Sequence, residues 1–541
     1  MRNPIKIALT LISALFISTT YAAAGEHPKL VVKIVVSQMK YEYLTHFREN
    51  YRFGLKRLSD EGIVCTNARF SYSNTTSPAG IATIVSGTNP NAHGILSEAW
   101  IDYTTNSQVN LISDRKYFGV GAIGYDGQFS PDQMIVSTLG DEIKSMHGAS
   151  KVVSVAVNPV SAITAGGRDA NAAYWFDPNK GIWVSSTYYM GRLPNWVEKE
   201  NELPNIRALN DTEWTPTLPA LNYKYTSSGG GLSNGRGGSF SLSNIFGRKS
   251  ERTTFEKLLS TPAGMEMTAE MARNIIIYEN LGKDDDPDLL VVTFDQTREI
   301  SESFGSHSME IEDAMYKLDF LLDNLISSVE NQVGRDNVVF VLTSDHGACE
   351  PYRENGRQAG GLFNVMQFKV LINGFLNTQY GTGDWVTDYR NKSLYLNHTM
   401  IFDKGLNLAE IQTRIAAFAL QFRGVADVVT AAAMQNNHFA NGTMGRMQNG
   451  FHPKRSGDIV INLMPGWMEE QEGTMSASGS MYEYDTHVPL IWYGKGIGRA
   501  TVSSKVDMTD VAPTLAGILK VNRPNASTGE EITAVTANYN K

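Results

Sequence analysis

NVVFVLTSDHGACE, residues 337–350, is an apolar and largely β-branched run that ends in Thr-Ser-Asp-His-Gly. The run has the composition of a buried strand. Asp345 and His346 directly after it would set an oxygen and a nitrogen donor side by side at a strand end, a mixture that zinc accepts. An isolated Asp-His pair is a weak signal, so the rest of the chain has to supply the context.

Similar runs recur at KLVVKIVVS (29–37), KVVSVAV (151–157), DLLVVTF (288–294) and VPLIWYG (488–494), with helical patterns between them. Strands that alternate with helices predict βαβ units and a mainly parallel sheet. The clearest helix is SMEIEDAMYKLDFLLDNLISSVENQV (308–333), whose apolar residues recur every three or four positions. Parallel sheets carry functional groups on the loops beyond the carboxyl ends of their strands. Ser37, DQTREISESFG (295–305) and SDHGACEP (344–351) all fall there. Two stretches read as insertions. Residues 170–260 are rich in Trp, Tyr, Pro and Gly and include SSGGGLSNGRGGSFSLSN, which has no packing capacity of its own. Residues 360–455 include LNLAEIQTRIAAFALQF and read as a small α/β excursion, with return to the core at GDIVINLMPGW (457–467).

The 541 residues carry a formal charge of −9 and are 42% hydrophobic, the balance of a large globular protein. That charge argues against a nucleic-acid surface, which needs a basic face. Arg2 and Lys6 precede IALTLISALFISTT, and YAAAG follows, the pattern of a secretory signal peptide over residues 1–24. No later segment is apolar enough to span a bilayer, so an exported protein without a membrane span is expected, periplasmic or secreted. The two cysteines, Cys65 and Cys349, leave open both a disulfide and a pair of buried thiols.

With NTTSPAGIATIVSG (74–87), NPNAHGI (89–95), LLSTPAGMEMTAEMA (258–272), YDTHVPLIWYGKGI (484–497) and VDMTDVAPTLAGIL (506–519) in this order, the mature chain from residue 25 resembles the alkaline phosphatase superfamily. The nearest branch is that of the bacterial alkaline phosphatases similar to nucleotide pyrophosphatase/phosphodiesterases. The resemblance implies an α/β/α sandwich with two zinc ions and a Ser or Thr nucleophile at a helix N-terminus, where backbone N–H groups favour a phosphate.

Residue by residue, that resemblance implies an altered site. The nucleophile position falls on Ser77, followed by Pro78 in the first turn. Asp345, His346 and His487 match ligand positions. Ser37 stands where the family has a metal-bridging aspartate. In TREISE (297–302), counted back from Phe304-Gly305, Arg298 stands for a ligand Asp and Glu302 for a ligand His; a shifted alignment would offer Asp295 and Glu299. Glu98 replaces the family's phosphate-binding Asn, and Asn158 and Val160 replace its Lys and Arg. An arginine ~4 Å from a divalent ion is repelled by about 8 kcal/mol at an effective dielectric near 20, comparable to much of a structural zinc affinity. Arg298 is therefore expected to stand in for a metal, paired with Asp345 or Glu302. His307 and Cys349 are secondary ligand candidates.

Three functions are compatible with this pattern. One is a catalytically impaired or inactive homologue with a binding or structural role toward an envelope or extracellular protein, for which the Trp/Tyr-rich region 174–225 is the candidate surface. Another is an active phosphate-ester hydrolase using Ser77 with a rearranged metal site acting on a small-molecule ester. The third is a hydrolase of sulfate or neutral esters. At most one zinc per chain is expected, with no metal as the alternative.

Overall fold

In a computed structural model the described residues are 27–122, 127–225, 255–349 and 360–539. The predicted signal peptide and the glycine- and serine-rich stretch lie outside them, as do the basic residues Arg236, Arg248, Lys249 and Arg252.

The main sheet has ten strands: β1 (Leu30–Val36), β2 (Ile63–Cys65), β3 (Gly119–Val120), β4 (Val152–Val155), β5 (Ala172–Asp177), β6 (Ile182–Ser186), β7 (Asp288–Phe294), β8 (Val338–Thr343) and, after the four strands β9–β12 of a second sheet, β13 (Leu490–Gly494) and β14 (Ala500–Val502). Their spatial order is β14-β2-β13-β8-β1-β7-β4-β5-β6-β3. The five central strands β8-β1-β7-β4-β5 are parallel, while β13 runs antiparallel to β8 and β6 antiparallel to β5. β1 and β7 are buried along their whole length, as expected of strands covered on both faces. Side chains alternate: Val32, Ile34 and Val36 enter one apolar core, Val31 and Val35 the other. Helices on both faces complete the α/β layers, and the predicted long helix forms at Met309–Val333, where the Ser308 side chain accepts from the Ile311 N–H.

Strand order positions the site. β8, β1 and β7 are neighbours in register, with Val36 opposite Phe294 and Val35 opposite Thr343. The loops after them, carrying Asp345–His346, Ser37 and Arg298, therefore emerge side by side. Helix Ser77–Ser86 packs onto this edge with every residue buried. Gly80 permits the approach, because a Cβ there would lie 1.9 Å from the Asp345 carbonyl oxygen.

A second, four-stranded sheet is built from β9 (Val386–Arg390), β10 (Ser393–Leu396), β11 (Val425–Thr430) and β12 (Ile459–Leu463), in the order β9-β10-β12-β11. Helices Val365–Tyr380 and Leu408–Ala419 bury Phe368, Ile372, Leu376, Ile411 and Ile415 against it. This moves the expected boundary. The run IVINL belongs to the small sheet, and the chain rejoins the main sheet only at Leu490. At the other insertion, residues 172–177 and 182–186 are strands of the main sheet. An apolar alternation identifies a strand but not its partner.

One further expectation changes. Tyr174, Trp175, Trp183 and Trp214 are core residues with at most 5% exposure, so the aromatic-rich region 174–225 does not present them as a surface. Aromatic residues supply the largest apolar area per side chain and are drawn inward. Cys65 and Cys349 are both buried and are not bonded to each other. Among the described residues, no helix is long and apolar enough to cross a membrane.

Candidate active site

Ser77 begins the helix Ser77–Ser86, after Thr76 in extended conformation at the N-cap. Its Oγ lies 2.9 Å from His346 Nε2, accepts from Arg298 Nη1 at 3.1 Å, and is 3.4 Å from Ser37 Oγ. His346 Nδ1 lies 2.7 Å from the Gly347 carbonyl oxygen. A carbonyl only accepts, so Nδ1 carries the proton, and in the neutral imidazole Nε2 is left to accept from the Ser77 hydroxyl. This is the relation between a nucleophile and a base.

Ser37 has a clear structural role in place of the expected aspartate. Its hydroxyl donates to Asp345 Oδ2 at 2.6 Å, and the Gln38 N–H donates to Oδ1 at 3.0 Å. A carboxylate at position 37 would face Asp345 as a like charge, whereas a hydroxyl supplies a donor. Burial pushes the Asp345 carboxyl up, but His346, Ser37 and the Gln38 N–H outweigh it and hold it below the usual range.

Arg298 lies in the cluster, with its side chain 14% exposed. Its Nη2 pairs with Glu299 Oε1 at 2.7 Å. The direct partners are thus Glu299 and Ser77 rather than the expected Asp345 or Glu302, because α-helix Gln296–Phe304 brings Arg298 and Glu299 together at its start. Burial disfavours the charged guanidinium, yet Glu299, Glu302 and Asp295 together hold its pKa above the ordinary arginine value. Glu302 is pushed up to about 7, mainly by burial. Of the alternatives in the shifted alignment, Asp295 accepts from the Ser161 hydroxyl at 2.6 Å and the Asn158 N–H at 3.1 Å, and so anchors the start of helix Pro159–Gly166 rather than joining the pocket.

A cavity of about 500 Å³ opens over Ser77, bounded by Glu98, Gln108, Arg298, Glu302 and Arg390 among others. Asn158 and Val160 do not line it: the Asn158 side chain accepts from the Val160 N–H at 2.8 Å and caps its own helix. His487 is also elsewhere. Its Nε2 lies 3.0 Å from the Thr66 carbonyl oxygen, Nδ1 is 3.7 Å from Glu483, and the ring stacks on Tyr41 at 4.4 Å. The four-residue helix Glu483–Thr486 ends at this residue and turns it toward Thr66, so it does not complete a ligand set with Asp345 and His346. His307 is held between Lys40 and Glu42. Sequence reasoning missed Arg390, Ser478, Gln108 and Asn110, which reach the cavity from distant segments; the signal available was the Asn391-Lys392 turn beside Arg390.

A tetrahedral zinc site needs three or four converging lone-pair donors. Among the described residues no group of three or more His, Cys, Asp or Glu is placed to hold a metal, and a guanidinium, which has no lone pair to give, touches the nucleophile. The residues present do not fit a two-zinc centre.

The family model for type I phosphodiesterase / nucleotide pyrophosphatase matches residues 31–487. This chain belongs to that family. It is 29% identical over 526 residues to alkaline phosphatase PhoV of Synechococcus elongatus, covering 94% of this chain and 92% of that protein. It is 28% identical over 522 residues to alkaline phosphatase PafA of Elizabethkingia meningoseptica, covering 95% of each. A protein of Myroides odoratus named a calcium-transporting ATPase is 30% identical over 519 residues, 94% of each chain. The crystal structure of wild-type PafA superposes with a TM-score of 0.86 at 28% identity, over 94% of this chain and 99% of that one. The fold is that of the alkaline phosphatase superfamily.

Proposed function

We propose that this family member has lost two-zinc phosphate-ester hydrolysis and acts outside the cytoplasm as a catalytically impaired homologue whose site binds a ligand instead. The observation that carries the reading is the Arg298 guanidinium, 3.1 Å from Ser77 Oγ. A fixed cation next to the nucleophile opposes a divalent ion there, and Ser37 suits a site without one, since its hydroxyl stabilises the Asp345 carboxylate by a hydrogen bond. Support for export comes from the basic and then apolar opening of the chain.

The test is zinc per chain by elemental mass spectrometry after loading with excess zinc and dialysis, together with release of p-nitrophenol from p-nitrophenyl phosphate. At most one zinc and a rate that added zinc does not raise are expected. Two zinc ions per chain with zinc-dependent turnover would overturn the proposal.

A second reading, an active phosphate-ester hydrolase with Ser77 as nucleophile, is favoured by one observation, the 2.9 Å contact between Ser77 Oγ and His346 Nε2. Turnover that is lost in Ser77→Ala would establish it. The same rate in Ser77→Ala would remove it.

A further inference from the structure

We infer that the cavity over Ser77 is an anion clamp in which Arg390 acts with Arg298, and that it takes a tetrahedral ester carrying one negative charge, of which an organic sulfate is the simplest. This inference rests on the proposed loss of the two-zinc site and names the ligand class of that site.

The positions where the family resemblance expects two phosphate-binding cations hold Asn158 and Val160, which lie outside the cavity. Two other cations line it. Arg298 comes from the helix after β7, with Nη1 on Ser77 and Nη2 on Glu299. Its buried Nε has no hydrogen-bond partner, an uncommon state for a buried donor. Arg390 comes from the end of β9 in the second sheet, and its guanidinium is held at one corner only: Nε donates to Asp388 Oδ2 at 2.6 Å, and Asp388 is itself paired with Lys369 at 3.2 Å. Among the described residues, no hydrogen bond uses the Nη groups of Arg390, so the outer edge of its fork remains available for a bidentate oxyanion contact.

The hairpin that carries Arg390 is fixed in place. Asn391 and Lys392 have φ of 54° and 53°, the left-handed pair that a tight two-residue hairpin turn requires. Asn391 Nδ2 donates to the Ala99 carbonyl at 3.0 Å. The Lys392 ammonium, 9% exposed, donates to the Gly479 carbonyl. The hairpin tip is therefore bonded to both walls of the cavity, and Arg390 is presented without an induced rearrangement, which limits the ordering cost of binding.

Charge sets the class of ligand. The two guanidinium groups share the cavity lining with two carboxyls, the exposed Glu98 and the shielded Glu302. Glu299 and Asp388 already offset the two guanidinium groups directly, so the cavity carries no surplus cation for a second negative charge. The N-terminus of the ten-residue helix at Ser77 adds a partial positive charge. A single negative charge can take the free edges of the two forks, whereas a dianion would bring a second charge against Glu302 and Glu98 without compensation.

The test is calorimetric titration of the full chain in chelator at pH 8 with two probes of similar size, phenyl sulfate (one negative charge) and phenyl phosphate (two). Saturable one-to-one binding of phenyl sulfate, at least tenfold tighter than phenyl phosphate, is expected. Arg390→Ala should weaken phenyl sulfate binding about 10- to 100-fold, the loss of a charge-assisted contact, with partial rescue in Arg390→Lys. The Arg390 side chain is 35% exposed, and an unchanged melting transition in the variant confirms that the loss is local. No saturable binding of phenyl sulfate, equal or tighter binding of phenyl phosphate, or wild-type affinity in Arg390→Ala would each overturn the clamp. Zinc content is read separately: two zinc ions per chain would overturn the loss of zinc chemistry, while zinc-poor protein that fails to bind phenyl sulfate would overturn the clamp alone.

Discussion

Lys33→Met is expected to stabilise the protein by roughly 4 kcal/mol at neutral pH. Lys33 lies in the middle of β1, fully buried, paired in register with Val291 on one side and Val341 on the other. It shares the face of Val31 and Val35, and its Nζ has no hydrogen-bond partner. Burial lowers its pKa from 10.5 to about 7. Each unit corresponds to about 1.36 kcal/mol, so keeping the ammonium in this setting costs about 4 to 5 kcal/mol once the pH is well below both values. Methionine has a similar length, no charge and the flexibility to fill the same space.

The pH dependence has a definite sign. The unfolded chain takes its proton near 10.5 and the folded chain only near 7, so between these values the unfolded state binds more protons and stability rises with pH. Above about pH 10.5 the penalty from Lys33 is absent; as the pH falls it grows, reaching its full size below pH 7. The advantage of Lys33→Met in urea denaturation should therefore be largest near pH 7 and smaller near pH 9.5. A variant that is less stable than wild type, or whose advantage does not change with pH, would show that Lys33 is compensated by an interaction in the core.

Arg298→Met is expected to act in the opposite direction, lowering stability by about 2 to 3 kcal/mol. Its side chain is 14% exposed, and its guanidinium balances Glu299, Glu302 and Asp295. Removal of one member of a buried ion network leaves uncompensated charge and costs about 3 to 5 kcal/mol; the lower figure allows for Glu299, whose side chain is 38% exposed and screened by water. Arg298→Lys should recover part of the loss, since it keeps the charge but cannot hold Ser77 and Glu299 with one planar fork. Equal stability in wild type and Arg298→Met, by urea denaturation at pH 8, would mean that the carboxyls are already neutral or solvated.

The central strands were legible in the sequence because each is a long β-branched run buried on both faces. They delimit β1, β4, β7, β8 and β13 without reference to any partner. Ser77, Asp345 and His346 were legible for a related reason: each follows a recognisable strand or begins a recognisable helix, and neighbouring parallel strands deliver their carboxyl ends to one edge. The departures from the family pattern at Ser37, Arg298 and Glu302 could also be read directly, as residue identities at counted positions.

Other features depended on pairings between segments far apart in the chain. His487 matched a motif, yet a single turn of helix directs its ring to Thr66 and Tyr41. The run IVINL reads equally well as a strand of either sheet, and only its pairing with Ser393–Leu396 and Val425–Thr430 assigns it to the smaller one. Arg390 lies beside a recognisable Asn391-Lys392 turn, but nothing local ties that turn to the site; it lines the same cavity as Ser77 because the hairpin of the second sheet is bonded to Ala99 and Gly479. By itself the sequence determined the central sheet and the family, since these follow from local periodicity and residue identity. Only the tertiary structure decided which cations face the nucleophile and which histidine is excluded, because convergence in space is set by long-range packing that no local pattern encodes.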